Sequence, residues 1–424
     1  MYWKSGIRFF AIGIAAILGS ANAQTGPKIS GYGSYEAGQI VRGIYQNQNG
    51  SGTIDHSWLQ KLLFGIEIEA IVGERLRLIT GGEGQLNFSY QQLNKTFLDQ
   101  YIANEYPSFS FVPTHVEAIV RILDNDPCRL ETGSGLFPYK YNPDARNLGE
   151  FLFRSEVLPG YLRNYFDQPY ARLLGLRVSS TLFSMIRQDL LLTSEVNNYP
   201  LGDFSLSWVG ALNFKPAEIG FGVSLHRAFP INENQTAPRK PENRIIDGTD
   251  TTDEYYSFAG AKCMARCALD PKAFFNAPFF GKNDLRIYAE AAVLGTGTDP
   301  LYYTRIEQRI PAVIGFNVPA FNLLDVCALE AEWWDNPYPN SYYQPIEYGY
   351  PHPIVDPLAV YFKHTKWRWS AYASKAVLNG LILTAQVAHD HMRPFCESYQ
   401  LRDLQDVLPN DKQWWWVLKI GYRF

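Results

Sequence analysis

From Lys28 to Phe424 apolar and polar positions alternate with a period of two, the pattern of strands whose two faces meet different surroundings. The last stretch shows it most clearly. Trp414, Trp416, Leu418, Ile420, Tyr422 and Phe424 fall on one face, and Gln413, Trp415, Val417, Lys419, Gly421 and Arg423 on the other. The split recurs at Leu381, Leu383, Ala385 and Val387 against Thr384, Gln386 and Asp390, and at Trp367, Trp369, Ala371 and Ala373 against Lys366, Arg368, Ser370 and Tyr372. It recurs again at Leu285, Ile287, Ala289, Ala291 and Val293 against Arg286, Tyr288 and Glu290. The pattern predicts strands at 28–44, 57–70, 74–89, 114–123, 128–138, 169–180, 185–196, 203–214, 218–229, 254–268, 284–296, 309–318, 322–334, 364–375, 380–391 and 413–424. That makes sixteen, with fourteen or eighteen left open by weak periodicity over 90–127 and a break at Asp325.

A sandwich also alternates, so connection lengths discriminate better. Tight connections at Ile71 to Gly73, Asp124 to Pro127, Lys215 to Ala217, Pro319 to Phe321 and Ala376 to Asn379 fall at every second position, with longer segments between them. Alternating short and long connections are the layout of membrane barrels. One connection, Asp270 to Asn283, is long where a short one is due, and suggests a small helix or a misplaced boundary. The expected fold class is therefore all-β: a transmembrane antiparallel β-barrel of about sixteen strands. Closure would remove the edges that an open sheet exposes in lipid.

The N-terminus adds an export reading. Lys4 and Arg8 precede the apolar run Phe9 to Leu18, and Ala21 and Ala23 supply small residues before Gln24. This predicts a signal peptide over 1–23 and a single barrel domain over 24–424. The run is short of the roughly 20 apolar residues of a helical anchor. Aromatics make up 15% of the chain, as 27 Tyr, 26 Phe and 10 Trp, while mean hydropathy is only -0.20. A barrel reconciles the two, because rings form belts at the membrane interfaces while half of each strand faces water.

Charge and cysteines narrow the function classes. The formal net charge of -4 argues against nucleic acid, which requires a basic excess. Cys128, Cys263, Cys267, Cys327 and Cys396 are odd in number and scattered, so they do not describe a disulfide framework. Cys263 and Cys267 on one strand would lie about 13 Å apart. No Gly-x-Ser-x-Gly, Walker loop or His-Glu-x-x-His is present, and the seven histidines nominate no base. His389 and His391 offer a pair without a third ligand, so neither enzyme activity, nor a metal, nor a cofactor is expected.

The terminal run Trp416, Leu418, Ile420, Tyr422 and Phe424 resembles the C-terminal insertion signal of Gram-negative outer-membrane barrel proteins. The sixteen-strand layout, with a long third loop after the fifth strand, is similar to that of the porins. The loop here, Tyr139 to Phe151, lacks the acidic Gly-rich motif of general porins. The resemblance implies outer-membrane lipid and the barrel-assembly machinery as partners, and a homotrimer. It also implies passive diffusion of ions and small hydrophilic solutes. The rival is a non-conducting barrel serving as a surface adhesion or polysaccharide-binding scaffold, with the ring-rich loop 333–362 as its contact.

If the apolar face is outward, the other face lines a lumen. Candidate pore-lining residues are Glu67, Glu69, Glu117 and Glu131 on the early strands and Lys262, Arg266, Arg286, Lys366, Arg368 and Lys419 on the late ones. Acids early and bases late would set a transverse field across a constriction. The bland alternative is a set of charge ladders that rigidify a plugged barrel. The segment 139–168 mixes charges with rings, a composition that favours a loop folded into the lumen. Arg146, Glu150 and Arg154 are its candidate constriction residues.

Overall fold

The computed structural model describes residues 26–47, 50–53, 55–88, 108–154, 157, 170–194, 203–229, 231, 244–247, 250–255, 259–275, 278–295, 303, 305–336, 365–390 and 411–424. The segment 1–23, most of 335–363, and residues His391 and Cys396 lie outside them.

Sixteen antiparallel strands close into one barrel, each paired with its neighbours in the sequence and the last with the first. They are β1 (Lys28–Arg42), β2 (Ser57–Val72), β3 (Leu76–Asn87), β4 (Ser108–Asn125), β5 (Cys128–Tyr139), β6 (Ala171–Leu182), β7 (Ile186–Ser194) and β8 (Phe204–Phe214). The ring continues with β9 (Ala217–Phe229), β10 (Gly260–Leu269), β11 (Ile287–Leu294), β12 (Ala312–Asn317), β13 (Val326–Trp333), β14 (Trp367–Leu378), β15 (Leu381–His389) and β16 (Trp414–Arg423). Small hairpins at Ile44–Asn47 with Gly50–Thr53 and at Arg244–Asp247 with Asp250–Tyr255 stand apart from the barrel sheet.

All sixteen predicted strands are present, and the differences lie at their ends. β4 begins at Ser108 rather than 114, because Pro113 does not stop it. The register shifts opposite Gly81 and Gly82, leaving Thr114 without a partner, and a bulge is where a strand tolerates proline. The predicted strand 254–268 starts only at Gly260, since Asp250–Tyr255 belongs to a hairpin. The long connection after β10 holds a 3-10 turn, Pro271–Phe274, capped by the Asp270 carboxylate accepting from the Lys272 amide.

Side chains divide as the alternation demands. Ile66, Leu176, Leu190, Phe221, Ile314, Leu329, Leu418 and Ile420 are exposed on the outside. Glu36 and Lys419, which are register partners, meet at 2.5 Å on the inside. Closure is completed by reciprocal backbone bonds, Gly31 amide to Phe424 carbonyl at 3.1 Å and Phe424 amide to Gly31 carbonyl at 3.0 Å. Leu418, Ile420, Tyr422 and Phe424 are exposed on the outer face of β16, and Trp416 packs edge-on against Trp58 at 6.1 Å. Cys128, Cys263, Cys267 and Cys327 carry free thiols. Among the described residues no helix is long and apolar enough to cross a membrane.

At the tight-turn end, Asp325 joins the β12–β13 connection to β14. Its carboxylate accepts from the Ala376 amide at 2.7 Å and meets the Lys375 ammonium at 3.4 Å. The amide first, and the lysine with it, hold the carboxyl below the usual carboxylate range. A group whose pKa falls on folding contributes stability above its unfolded pKa and loses it as the pH drops through the folded one. Asp325→Asn is therefore expected to lower the urea unfolding midpoint at neutral pH, and the gap to the wild type should close in acid. A gap that stays constant across that range would assign the effect to shape rather than charge.

Candidate functional site

Among the described residues one apolar core lies inside the barrel, where the segment after β5 turns inward. Tyr141, Leu148, Phe151, Leu152, Phe153 and Val157 are buried against wall residues that include Phe137, Leu173, Leu191, Met264, Ala292, Val313 and Trp334. The ring-rich composition of this segment is thus the composition of a buried surface. A loop entering a sheet's interior must also satisfy its own amides, and here wall carboxylates do so.

Glu330 on β13 accepts from three successive backbone amides, Arg146 at 2.6 Å, Asn147 at 2.9 Å and Leu148 at 3.0 Å, and from the Tyr288 hydroxyl at 2.8 Å. Glu290 on β11 accepts from the Phe151 amide at 3.0 Å, the Tyr141 hydroxyl at 2.6 Å and Asn142 Nδ2 at 2.8 Å. Glu332 takes the Gly149 amide at 3.1 Å and a two-pronged contact from Arg154, at 2.6 and 2.9 Å. Asp390, just beyond β15, receives Asn147 Nδ2 at 2.5 Å and the Trp415 indole at 2.7 Å. Burying an ion costs several kcal/mol, and charge-assisted bonds to every available donor are what offset it.

The backbone turns sharply at two residues to reach these acceptors. Gly149 (φ +82°) and Glu150 (φ 61°) are both left-handed. A Cβ at Gly149 would also sit 3.0 Å from Val313 Cγ1, so the close approach to β12 requires glycine there. Burial, with the Glu290 and Glu150 charges beside it, pushes the Tyr141 phenol well above its ordinary value, and it stays a donor.

The candidate constriction residues occupy this docked segment in different ways. Arg154 is 3% exposed, stacked on Phe151 at 5.1 Å and Trp334 at 5.8 Å and locked to Glu332. Glu150 accepts from the Asn142 amide at 2.8 Å, and Arg146 is partly exposed. Of the late-strand bases, Lys262 is buried and donates to the Phe151 and Val157 carbonyls at 3.2 and 2.8 Å. Arg368 is buried 3.6 Å from Glu332, and Arg266 is buried on Glu218. Arg286 holds Asp144 with two bonds, at 2.5 and 2.8 Å. Lys366 is half-exposed at 3.1 Å from Asp335. The expected late-strand bases are thus largely covered by the loop or paired with acids.

The opposite wall differs. His115 on β4 sits between two carboxylates, Nδ1 at 3.0 Å from Glu67 and Nε2 at 2.9 Å from Glu117, and Glu117 also receives Arg177 at 2.8 Å. Glu69 lies 3.6 Å from Arg77, and Glu131 is shared by Arg121 at 3.4 Å and Arg129 at 2.6 Å. Most of these cations remain partly exposed. Nothing in the sequence singles out Asn142, Glu218 or His115. The alternation puts Glu290 on the inner face, and by the same parity Glu330 and Glu332, without marking any of them as an anchor. The available signal was Glu330-Ala331-Glu332, two acids on one inner face.

No family model and no curated protein matches the chain. Solved structures similar to it include a porin variant of Rh. blastica, at 8% identity and TM-score 0.42 over 94% of this chain and 100% of that one. Salmonella typhi OmpF in complex with daunomycin matches at 9% identity and TM-score 0.47 over 94% and 97% of the two chains. A low-pH structure of Pseudomonas putida OprB matches at 10% identity and TM-score 0.46 over 97% and 95%.

The Arg154–Glu332 contact is buried and bidentate, so removing one partner strands the other. Arg154→Ala and Glu332→Ala are each expected to cost about 3–5 kcal/mol of stability. Their double-mutant cycle should return a coupling of about 1–3 kcal/mol. Denaturant unfolding of the detergent-solubilised protein measures both, and additive losses would mean the pair does not anchor the loop.

Proposed function

We propose that the chain is an outer-membrane channel for passive diffusion of ions and small hydrophilic solutes, exported through the 1–23 segment. The observation that carries this reading is the division inside the barrel. The loop after β5 is bonded by its backbone to one wall through Glu290, Glu330 and Glu332. The wall opposite presents partly exposed charges at Glu67, Arg77 and Arg121. Ions in a dry interior would be costly, which supports water along that wall. A cylinder with apolar residues outside fits lipid, and no catalytic group or cofactor is needed for diffusion. Assembly as a homotrimer and insertion through the β16 outer-face residues belong to the same proposal.

In this reading the loop narrows the passage without closing it, and Arg146 and Glu150 are its residues nearest the solute path. The pore-lining set is then Glu67, Glu69 and Glu131 with Arg286, Lys366 and Lys419, while Glu117, Lys262, Arg266, Arg368 and Arg154, which are buried, act by holding the wall and loop in shape.

Reconstitution in planar bilayers is expected to give discrete open-channel steps, and deletion of 142–154 should raise the single-channel conductance. Silence combined with glycan binding would favour a surface scaffold instead. The lipid-facing assignment has its own test. Phe221 lies exposed near the middle of β9, and Phe221→Arg there should cost about 2–4 kcal/mol in vesicle unfolding. No loss would place Phe221 away from the apolar layer.

A further inference from the structure

The long connection after β10 and the turn between β12 and β13 meet in a cluster of phenylalanine rings that solvent reaches. The Phe279 ring centroid lies 4.4 Å from that of Phe280, and Phe321 lies 5.5 Å from Phe280 and 6.2 Å from Phe279. Phe275 extends the group at 6.2 Å from Phe280. Phe279 is 57% exposed, Phe321 54%, and Leu323 of the same turn 77%. Rings left in water forgo the stabilisation that burial brings, and a contiguous apolar patch marks a contact surface. Closure of the barrel needs none of these residues, because a short turn suffices to join two such strands.

Two features say what covers the cluster. The first is its place. β10 ends on Leu269 and β11 begins on Ile287, register partners that are both exposed on the outer face. Lys375 of β14 belongs to the same outer set, opposite Leu383, and its ammonium donates to the Asn322 carbonyl at 2.8 Å. The turn that carries Phe321 is therefore drawn toward the apolar outside of the barrel rather than beneath its lumen. The second feature is how the backbone is bonded. Buried Asp284 accepts from the Gly281 amide at 2.8 Å and the Phe321 amide at 3.0 Å, which ties the two turns together. The Lys272 ammonium donates to the Gly281 and Lys282 carbonyls at 2.9 and 2.6 Å, and Asn322 Nδ2 donates to the Phe279 carbonyl at 3.3 Å. A turn in water can leave such groups to the solvent, whereas one in a poorly hydrated layer must satisfy them within the protein.

We propose that these two turns form a foot resting in the phospholipid leaflet at the tight-turn end, with Phe279, Phe321 and Leu323 immersed where headgroups meet acyl chains. Amphipathic surfaces settle about 5–10 Å into that boundary. Lys282, exposed and next to the rings in sequence, has the long stem that lets an ammonium stay among the phosphates while its neighbours are in lipid. The foot fixes the depth of the β10–β13 side of the barrel in the bilayer. It rests on the outer-membrane reading of the barrel and is independent of whether the lumen conducts.

Spin labels read the immersion directly. With the chain's own cysteines replaced by alanine, Phe279→Cys, Phe321→Cys and Leu323→Cys each carry one nitroxide in vesicles of phosphatidylethanolamine and phosphatidylglycerol. Phe221→Cys reports the lipid-facing wall, and Glu74→Cys, exposed in the β2–β3 turn, reports water at the same end of the barrel. Collisions with oxygen, which concentrates in lipid, are compared with collisions with a water-soluble nickel chelate. The oxygen-to-nickel ratio at the three foot sites is expected to be several-fold above that at the Glu74 site and to approach that at the Phe221 site. Foot ratios equal to that at Glu74, with the Phe221 site in lipid, overturn the proposal and leave the membrane barrel standing. Shielding of the foot from both reagents does the same and places protein there instead. A water-like ratio at the Phe221 site as well removes the outer-membrane reading and the foot with it. A lipid-like foot on a barrel that gives no open-channel steps retires the channel and keeps the foot.

Discussion

Every strand in a sheet needs a partner on each side, and in this chain the first and last strands meet that need for one another. The reciprocal bonds between Gly31 and Phe424 close a ring of sixteen antiparallel strands with no edge left to pair elsewhere. Once the ring is closed, the period of two sorts every side chain. Ile66, Phe221, Leu418 and their like must face out, and the charged positions must face in. No further interaction is required to make the outside apolar.

Closure creates an interior, and what fills it is decided by backbone amides. The segment after β5 could lie on an apolar wall only if its N–H groups found acceptors there. Glu290, Glu330 and Glu332 are those acceptors, spaced so that three consecutive amides reach one carboxylate and the left-handed pair Gly149–Glu150 swings the chain toward the next. The apolar residues between the anchors then pack as a core. Acids that look like pore charges in the sequence are, on this wall, structural ligands for a loop.

The consequence is a lumen with unlike walls. Behind the loop the charges are buried and mutually satisfied, as Arg154 and Glu332 are. Across from it the pairs are more exposed, as where Arg121 and Arg129 share Glu131. The electrical character of the passage thus depends less on how many acids and bases face inward than on which pairs are covered.

The alternation along the chain made the inward and outward faces, the tight turns and a strand number near sixteen legible; the count itself and the return of the last strand to the first belong to the closed sheet. β4 shows where this ends, since only its bulged register explains how Pro113 stays within a strand. The site was less legible. A loop enriched in rings and charges announced that it was buried, but not on which wall. Glu330 and Arg146 are 184 residues apart, and nothing local couples them. Likewise Lys262, Arg266 and Arg368 read as pore lining because their faces were correctly read, while what covers or pairs them comes from distant segments and strands. Period and parity are properties of a strand alone. Pairing and burial of charge are properties of what that strand meets, and only the closed barrel brings those partners together.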